Sequence, residues 1–156
     1  MIEDARLQIE WVPLTAVQLN PENPRDNDGE PVEAVMASIA RFGFRVPIIA
    51  NRRTGLIEAG NTRWKAAERM ALPLVPVIWV DDDDSTAIAF AIADNRTAEL
   101  SQWNDPKLMG LLERLNTAGQ LLHSGFTVEA LEQLRGKIAA AQPVREEEGP
   151  VPEPED

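Results

Sequence analysis

The chain has no cysteine, one histidine and fewer bases than acids. Without cysteine there is no disulfide, no thiolate metal site and no sulfur nucleophile. His123 alone cannot build a histidine-rich zinc site or a histidine-based triad. No apolar run approaches the roughly 20 residues of a membrane span, and Met1 to Arg6 lacks a basic stretch leading into an apolar one. The expectation is a cytoplasmic protein with no membrane contact. Fifteen Lys and Arg stand against 26 Asp and Glu, a formal charge of −11. Arg145 to Asp156 carries six acids and one base, so the remaining body keeps about −6. That field opposes non-specific attachment to a phosphate backbone, and any nucleic-acid contact must be local.

What is present suffices for one compact core with an appendage: 156 residues, 44% hydrophobic. Leu7-Gln8-Ile9-Glu10-Trp11 alternates as a half-buried strand does. Asn20 to Gly29 is dense in turn formers, and Pro31 then opens a helix to Phe42 carrying Val32, Val35, Met36 and Ile39, stopped by Gly43. Val46–Ala50 and Leu56–Ala59 flank Asn51-Arg52-Arg53-Thr54-Gly55 as a hairpin, and Val75–Val80 is a further strand. Pro47 and Pro76 belong at strand starts or edges, since proline cannot donate to a central ladder. Ser85 is expected to cap a helix through Asn95; Asp105-Pro106 and Thr127 start two more, each with a leucine stripe. Those stripes must be buried against the body or against a second copy of the chain. Beyond Gln142 the sequence is Pro, Glu and Val without periodicity, a solvated linker or tail. The order predicts an α+β fold in three parts: a domain over 1–100, a helical extension over 101–142 and an acidic tail over 143–156.

The segment with most chemistry is Ile57-Glu58-Ala59-Gly60-Asn61-Thr62-Arg63-Trp64-Lys65-Ala66-Ala67, an apolar strand passing through glycine into a helix with a basic first turn. Gly60 permits a tight turn, Asn61 is a favoured N-cap, and the free amides of a first helical turn attract anions, with Arg63 and Lys65 adding charge. The same pattern also serves as an ordinary capped strand-to-helix turn. Arg52-Arg53 reads as a solvated turn. The Asp81 to Asp84 run lacks the spacing of a calcium loop. Trp11 and Trp79 read as core, and Trp64 either covers the inner face of its helix, the favoured reading, or stacks on a base.

Four ordered pieces resemble the ParB/sulfiredoxin superfamily, specifically its ParB-like N-terminal nucleotide-binding domain, over roughly Leu7 to Leu100. They are Asn23-Pro24-Arg25; Ser38-Ile39 through Gly43 to Pro47-Ile48; Ala59-Gly60-Asn61-Thr62-Arg63 with Ala66, similar to a phosphate-binding Gly-Glu-Arg-Arg-x-x-Ala box; and Ala93-Asp94-Asn95-Arg96. The resemblance implies a small mixed sheet with flanking helices that encloses CTP, or in relatives ATP, with Mg2+. It implies nucleotide contacts at Arg25, Gly43, Pro47, Gly60, Asn61, Thr62, Arg63 and Lys65, and metal ligands at Asp94 and Asn95. Asn61 and Thr62 replace the box's glutamate and first arginine, and Thr97-Ala98 replaces a terminal Gln-Arg, so one or two phosphate contacts are missing. The missing cysteine excludes the sulfiredoxin reaction.

The stretch from Ala93 through Trp103 and Ser124-Gly125-Phe126-Thr127 to the acidic linker also resembles the ParB-like module fused to phage and bacterial DNA methyltransferases. No methylase signature and no compact helix-turn-helix is present. The implied function is a nucleoside triphosphate binding module of a DNA-associated system, reaching DNA through a partner or fused domain and with a homodimer as one assembly. A slow CTPase or ATPase, and a non-catalytic specificity module of a methyltransferase, stay open beside it. The nuclease reading is weakest, for want of a carboxylate cluster, and no residue stands out as catalytic.

Overall fold

A computed structural model describes residues 6–142 of the chain. They divide into two compact units, one of residues 6–102 with His123–Gly125, the other of Trp103–Leu122 with residues 126–142. The expected tail over 143–156 and the first five residues lie outside the described ones.

In the first unit the elements run β1 (Ile9–Pro13), α1 (Glu30–Phe42), β2 (Ile48–Asn51), β3 (Ile57–Ala59), α2 (Asn61–Arg69), β4 (Leu74–Val80) and α3 (Asp84–Leu100). The four strands form one mixed sheet in the order β1-β4-β2-β3. β1 pairs antiparallel with β4, and β2 antiparallel with β3 as the predicted hairpin. β2 and β4 are parallel, the chain crossing between them through β3 and α2. Residues alternate across a strand, so Ile48 and Ala50 of β2, Val75 and Val77 of β4 and Ile57 of β3 share one face. They pack with Ala67 of α2 and with Val17 into a fully buried core, Trp64 and Trp79 partly buried against it. The core reading of those two tryptophans therefore holds.

Trp11 is the exception, 59% exposed beside Ile9 at 58%. Val12 rather than Trp11 packs on the core, so the strand is present but its inward phase is shifted by one residue, which reverses every side chain. Pro76 also departs from expectation: it lies inside β4, an interior strand, opposite Trp11. The ladder with β2 begins only at Val77, so Pro76 stands where β4 has β1 alone for a partner and locally meets the rule for prolines at edges.

Two helix starts are corrected. The N-cap of α2 is Gly60, not Asn61; that of α3 is Asp83, whose carboxylate accepts the Thr86 amide at 2.8 Å, not Ser85. Helix α3 also continues past Asn95 to Leu100, since no breaker intervenes before Ser101.

The second unit is a helical hairpin of α4 (Asp105–Thr117) and α5 (Val128–Ala141), capped by Asn104 and Thr127 through their side chains. Leu112, Leu121 and Leu131 form its buried centre, so the leucine stripes of α4 and α5 cover each other, an arrangement the sequence reading did not weigh. Arg135 ties α5 to Glu113 of α4 at 3.0 Å, and Trp103 meets Phe126 edge-on with ring centres 6.0 Å apart.

Candidate functional site: a two-chambered cleft at the start of helix α2

Strand β3 ends at Ala59, and the chain must turn at once to begin α2. Gly60 makes that turn in the left-handed region, φ 112°, which only glycine enters cheaply. Space is tight as well: a Cβ at Gly60 would stand 3.0 and 3.2 Å from the Arg63 guanidinium and 3.2 Å from Ile48, so these side chains would have to give way by a few tenths of an ångström. The glycine thus lets Arg63 fold back over the strand end. There the Arg63 guanidinium donates to the Pro47 carbonyl at 3.1 Å, while its Nε is buried with no acceptor. Burial lowers the pKa of Arg63, and the nearby Asp94 carboxylate opposes the shift. A guanidinium keeps its proton at any ordinary pH, so a buried donor without a partner is a demand for an acceptor from outside.

Two cavities meet at Arg63 and Val35. One, about 420 Å3, is apolar, walled by Val35, Ile39, Phe42, Phe44 and Val46 around Gly43, the φ 81° residue that ends α1. The other, about 520 Å3, is polar and brings Arg25, Thr62, Arg63, Asp94, Asn95 and Glu99 together. Arg25 comes from the loop before α1, held by reciprocal bonds with Asn23 and paired with Glu99 of α3 at 2.6 Å. Asn95 donates its amide to the Ala91 carbonyl at 2.8 Å, which leaves its Oδ1 available beside Asp94. One carboxylate and one amide oxygen are a donor set for a hard, partly hydrated cation such as Mg2+. Among the described residues no group of three or more His, Cys, Asp or Glu is placed to hold a metal alone.

Of the ten residues singled out from sequence, the polar chamber gathers Arg25, Thr62, Arg63, Asp94 and Asn95, and Gly43 lines the apolar one. Pro47 and Gly60 position Arg63. The remaining two are turned elsewhere. Asn61 Oδ1 accepts the Asn20 amide at 3.1 Å, fastening the preceding loop, and Lys65 is paired with Asp28 at 2.8 Å, which holds that carboxyl below its usual range. The turn cations Arg52 and Arg53 are also engaged, with Asp81 at 3.7 Å and Asp84 at 2.8 Å.

Sequence reasoning passed over Glu58. It is 5% exposed, its Oε1 accepts from Asn51 at 3.0 Å and its Oε2 has no donor. Burial raises its pKa, the Asn51 hydrogen bond opposes this and the neighbouring Asp82 carboxylate adds to it. An acid inside an otherwise apolar strand, two residues before Gly60, was the available signal.

The profile of the ParB N-terminal domain matches residues 3–96, more than half of the sequence, and the chain belongs to that family. It is 32% identical over 93 residues to a probable chromosome-partitioning protein ParB of Pseudomonas putida, covering 56% of this chain and 32% of that one. It is 34% identical over 73 residues to the ParB-like nuclease domain-containing protein YnaK of Escherichia coli, covering 47% of this chain and 83% of that protein. Among solved structures, C-terminally truncated ParB from Caulobacter crescentus, complexed with CTP-γ-S, shares the fold at a TM-score of 0.63. That match has 22% identity and covers 86% of this chain and 88% of the other. The chain spans about a third of the length of the partitioning proteins it matches. Among the described residues no helix is long and apolar enough to cross a membrane.

Proposed function

We propose that the cleft binds a nucleoside triphosphate, CTP or ATP, together with Mg2+, as a binding and switching module of a DNA-associated system. The observation that carries the reading is the buried, unsatisfied Nε of Arg63 at the junction of an apolar and a polar chamber. The base and sugar fit the apolar side. The triphosphate fits the polar side, where Arg63, the unpaired first-turn amides of α2 and its positive helix end receive anionic oxygens. Asp94 and Asn95 Oδ1 would hold Mg2+, which neutralises the phosphates. The nucleotide in the related Caulobacter protein supports the choice of ligand class. DNA would be reached through a partner, a fused domain or a second copy of the chain, because the acidic body offers few cations for a phosphate backbone. Titration of labelled CTP and ATP with Mg2+ tests the reading: saturable binding of at least one is expected, and no binding by either at millimolar ligand overturns it.

A further inference from the structure

We infer that Arg45 reads the base of the bound nucleotide, selecting rings that present a carbonyl oxygen beside a ring-nitrogen acceptor. The inference rests on the nucleotide reading above and assigns specificity within it. Arg45 lines the apolar chamber, in the turn between α1 and β2. Its Nε donates to the Phe42 carbonyl at 2.9 Å, and its guanidinium carbon stands 5.5 Å from the centre of the Phe42 ring. Those two contacts fix the base of the guanidinium and leave its terminal NH1 and NH2 fork uncommitted, since Arg45 has no ion pair with any described residue. Arg25, in the polar chamber, is by contrast already spent on Glu99.

The apolar chamber contains two guanidiniums, Arg45 and Arg63, one hydroxyl, Ser38, and no carboxylate. Its charged side-chain groups can only donate, so the ligand portion that enters must accept. The terminal fork of arginine matches two neighbouring acceptors in a plane, as in the pairing of arginine with guanine O6 and N7. Cytosine offers the same geometry at O2 and N3. Adenine places an amino donor next to each Watson–Crick or Hoogsteen ring acceptor, and uracil separates its carbonyls by an N–H. The fork therefore favours cytosine or guanine and disfavours adenine and uracil.

The experiment measures binding of CTP, GTP, UTP and ATP with Mg2+ to the full chain, to Arg45→Met and to Arg45→Lys, with free nucleosides as competitors. Wild type is expected to prefer CTP or GTP over UTP and ATP by about tenfold or more, within the range of one bidentate base contact. Which of the two is preferred reports which ring fits the chamber. Arg45→Met should level the four affinities and weaken competition by the favoured nucleoside. Arg45→Lys, with the charge but not the fork, should not restore the preference. A preference for ATP or UTP in wild type, or an unchanged order in Arg45→Met, overturns the role of Arg45 and leaves nucleotide binding standing. Equal loss for all four triphosphates with nucleoside competition untouched makes Arg45 a phosphate contact and also overturns it. Wild type that binds none of the four sinks the nucleotide reading itself.

Discussion

The Arg63 corner and the Glu58 corner lie five residues apart, on either side of Gly60, and each buries an ionisable side chain with one polar atom unsatisfied. The outcomes differ because the two groups can escape burial differently. A carboxyl can take up a proton, and the raised pKa of Glu58 is that escape in progress. A guanidinium cannot release one at any ordinary pH. Glu58 therefore has a remedy within the fold, the uptake of a proton, whereas the Arg63 guanidinium has none of that kind. An unsatisfied buried atom supports the proposal of a ligand site most strongly when its group has no such remedy.

Breaking the frame common to both corners should have the largest effect. Gly60→Ala forces a non-glycine residue into the left-handed region, at about 1–2 kcal/mol, and drives a methyl against Arg63 and Ile48. The expected result is a melting temperature lower by roughly 5–10 °C together with loss of nucleotide binding; thermal melts and calorimetric titration check both. Wild-type stability would show that the turn relaxes and that the cradle is not built around this glycine.

Arg63→Ala separates the corners, since it removes the group that needs a partner while leaving the turn. Triphosphate binding should weaken by roughly 1.5–3 kcal/mol, the worth of a charge-assisted hydrogen bond, with thermal stability of the free protein held or raised. A large loss of stability with affinity intact would make Arg63 a structural residue.

Glu58→Gln tests the other remedy. A raised folded-state pKa means that the stability contributed by Glu58 is fully present below the unfolded carboxyl value of about 4.3 and is lost as pH rises through the folded value. Glutamine mimics the protonated acid at every pH, so the variant should match wild type near pH 4 and exceed it above neutrality. Melts from pH 4 to 8 decide; a difference that does not change with pH shows that Glu58 is not the titrating group.

The smallest effect is expected at Lys65. Although it sits in the same first turns of α2, its ammonium is committed to Asp28, and Lys65→Ala should change CTP or ATP affinity by less than about threefold. A loss comparable to that of Arg63→Ala would show that Lys65 leaves Asp28 for the phosphates on binding.

Much of this was legible in the sequence because local signals were strong. The glycines at 43 and 60, the prolines at 31 and 106 and the apolar spacing of α1 and α4 fixed element order and the junction that carries Arg63. What failed depended on neighbours distant in sequence. The inward phase of β1 is decided by pairing with β4, 60 to 70 residues away, so alternation alone could not say whether Trp11 or Val12 turns inward. Asn61 has the chemistry of a cap, yet the Asn20 amide claims its oxygen and Gly60 already turns the chain. Arg63 and Lys65 look alike as bases two positions apart. The partners that distinguish them, the Pro47 carbonyl and the Asp28 carboxylate, come from other segments.

Trp64 follows Arg63 on α2, and its indole N–H is shared between the Leu14 and Val17 carbonyls at 3.2 and 3.1 Å. With no tyrosine in the chain, emission excited at the long-wavelength edge of the aromatic absorption, beyond that of phenylalanine, comes from four tryptophans alone. Trp11 and Trp103 are 59% and 69% exposed and open to an aqueous quencher, whereas Trp64 and Trp79 are partly shielded by the sheet core. Under iodide the remaining signal is weighted toward the shielded pair, one member of which stands on the turn that carries the cleft's arginine. The fold thus carries its own optical probe, readable without any label.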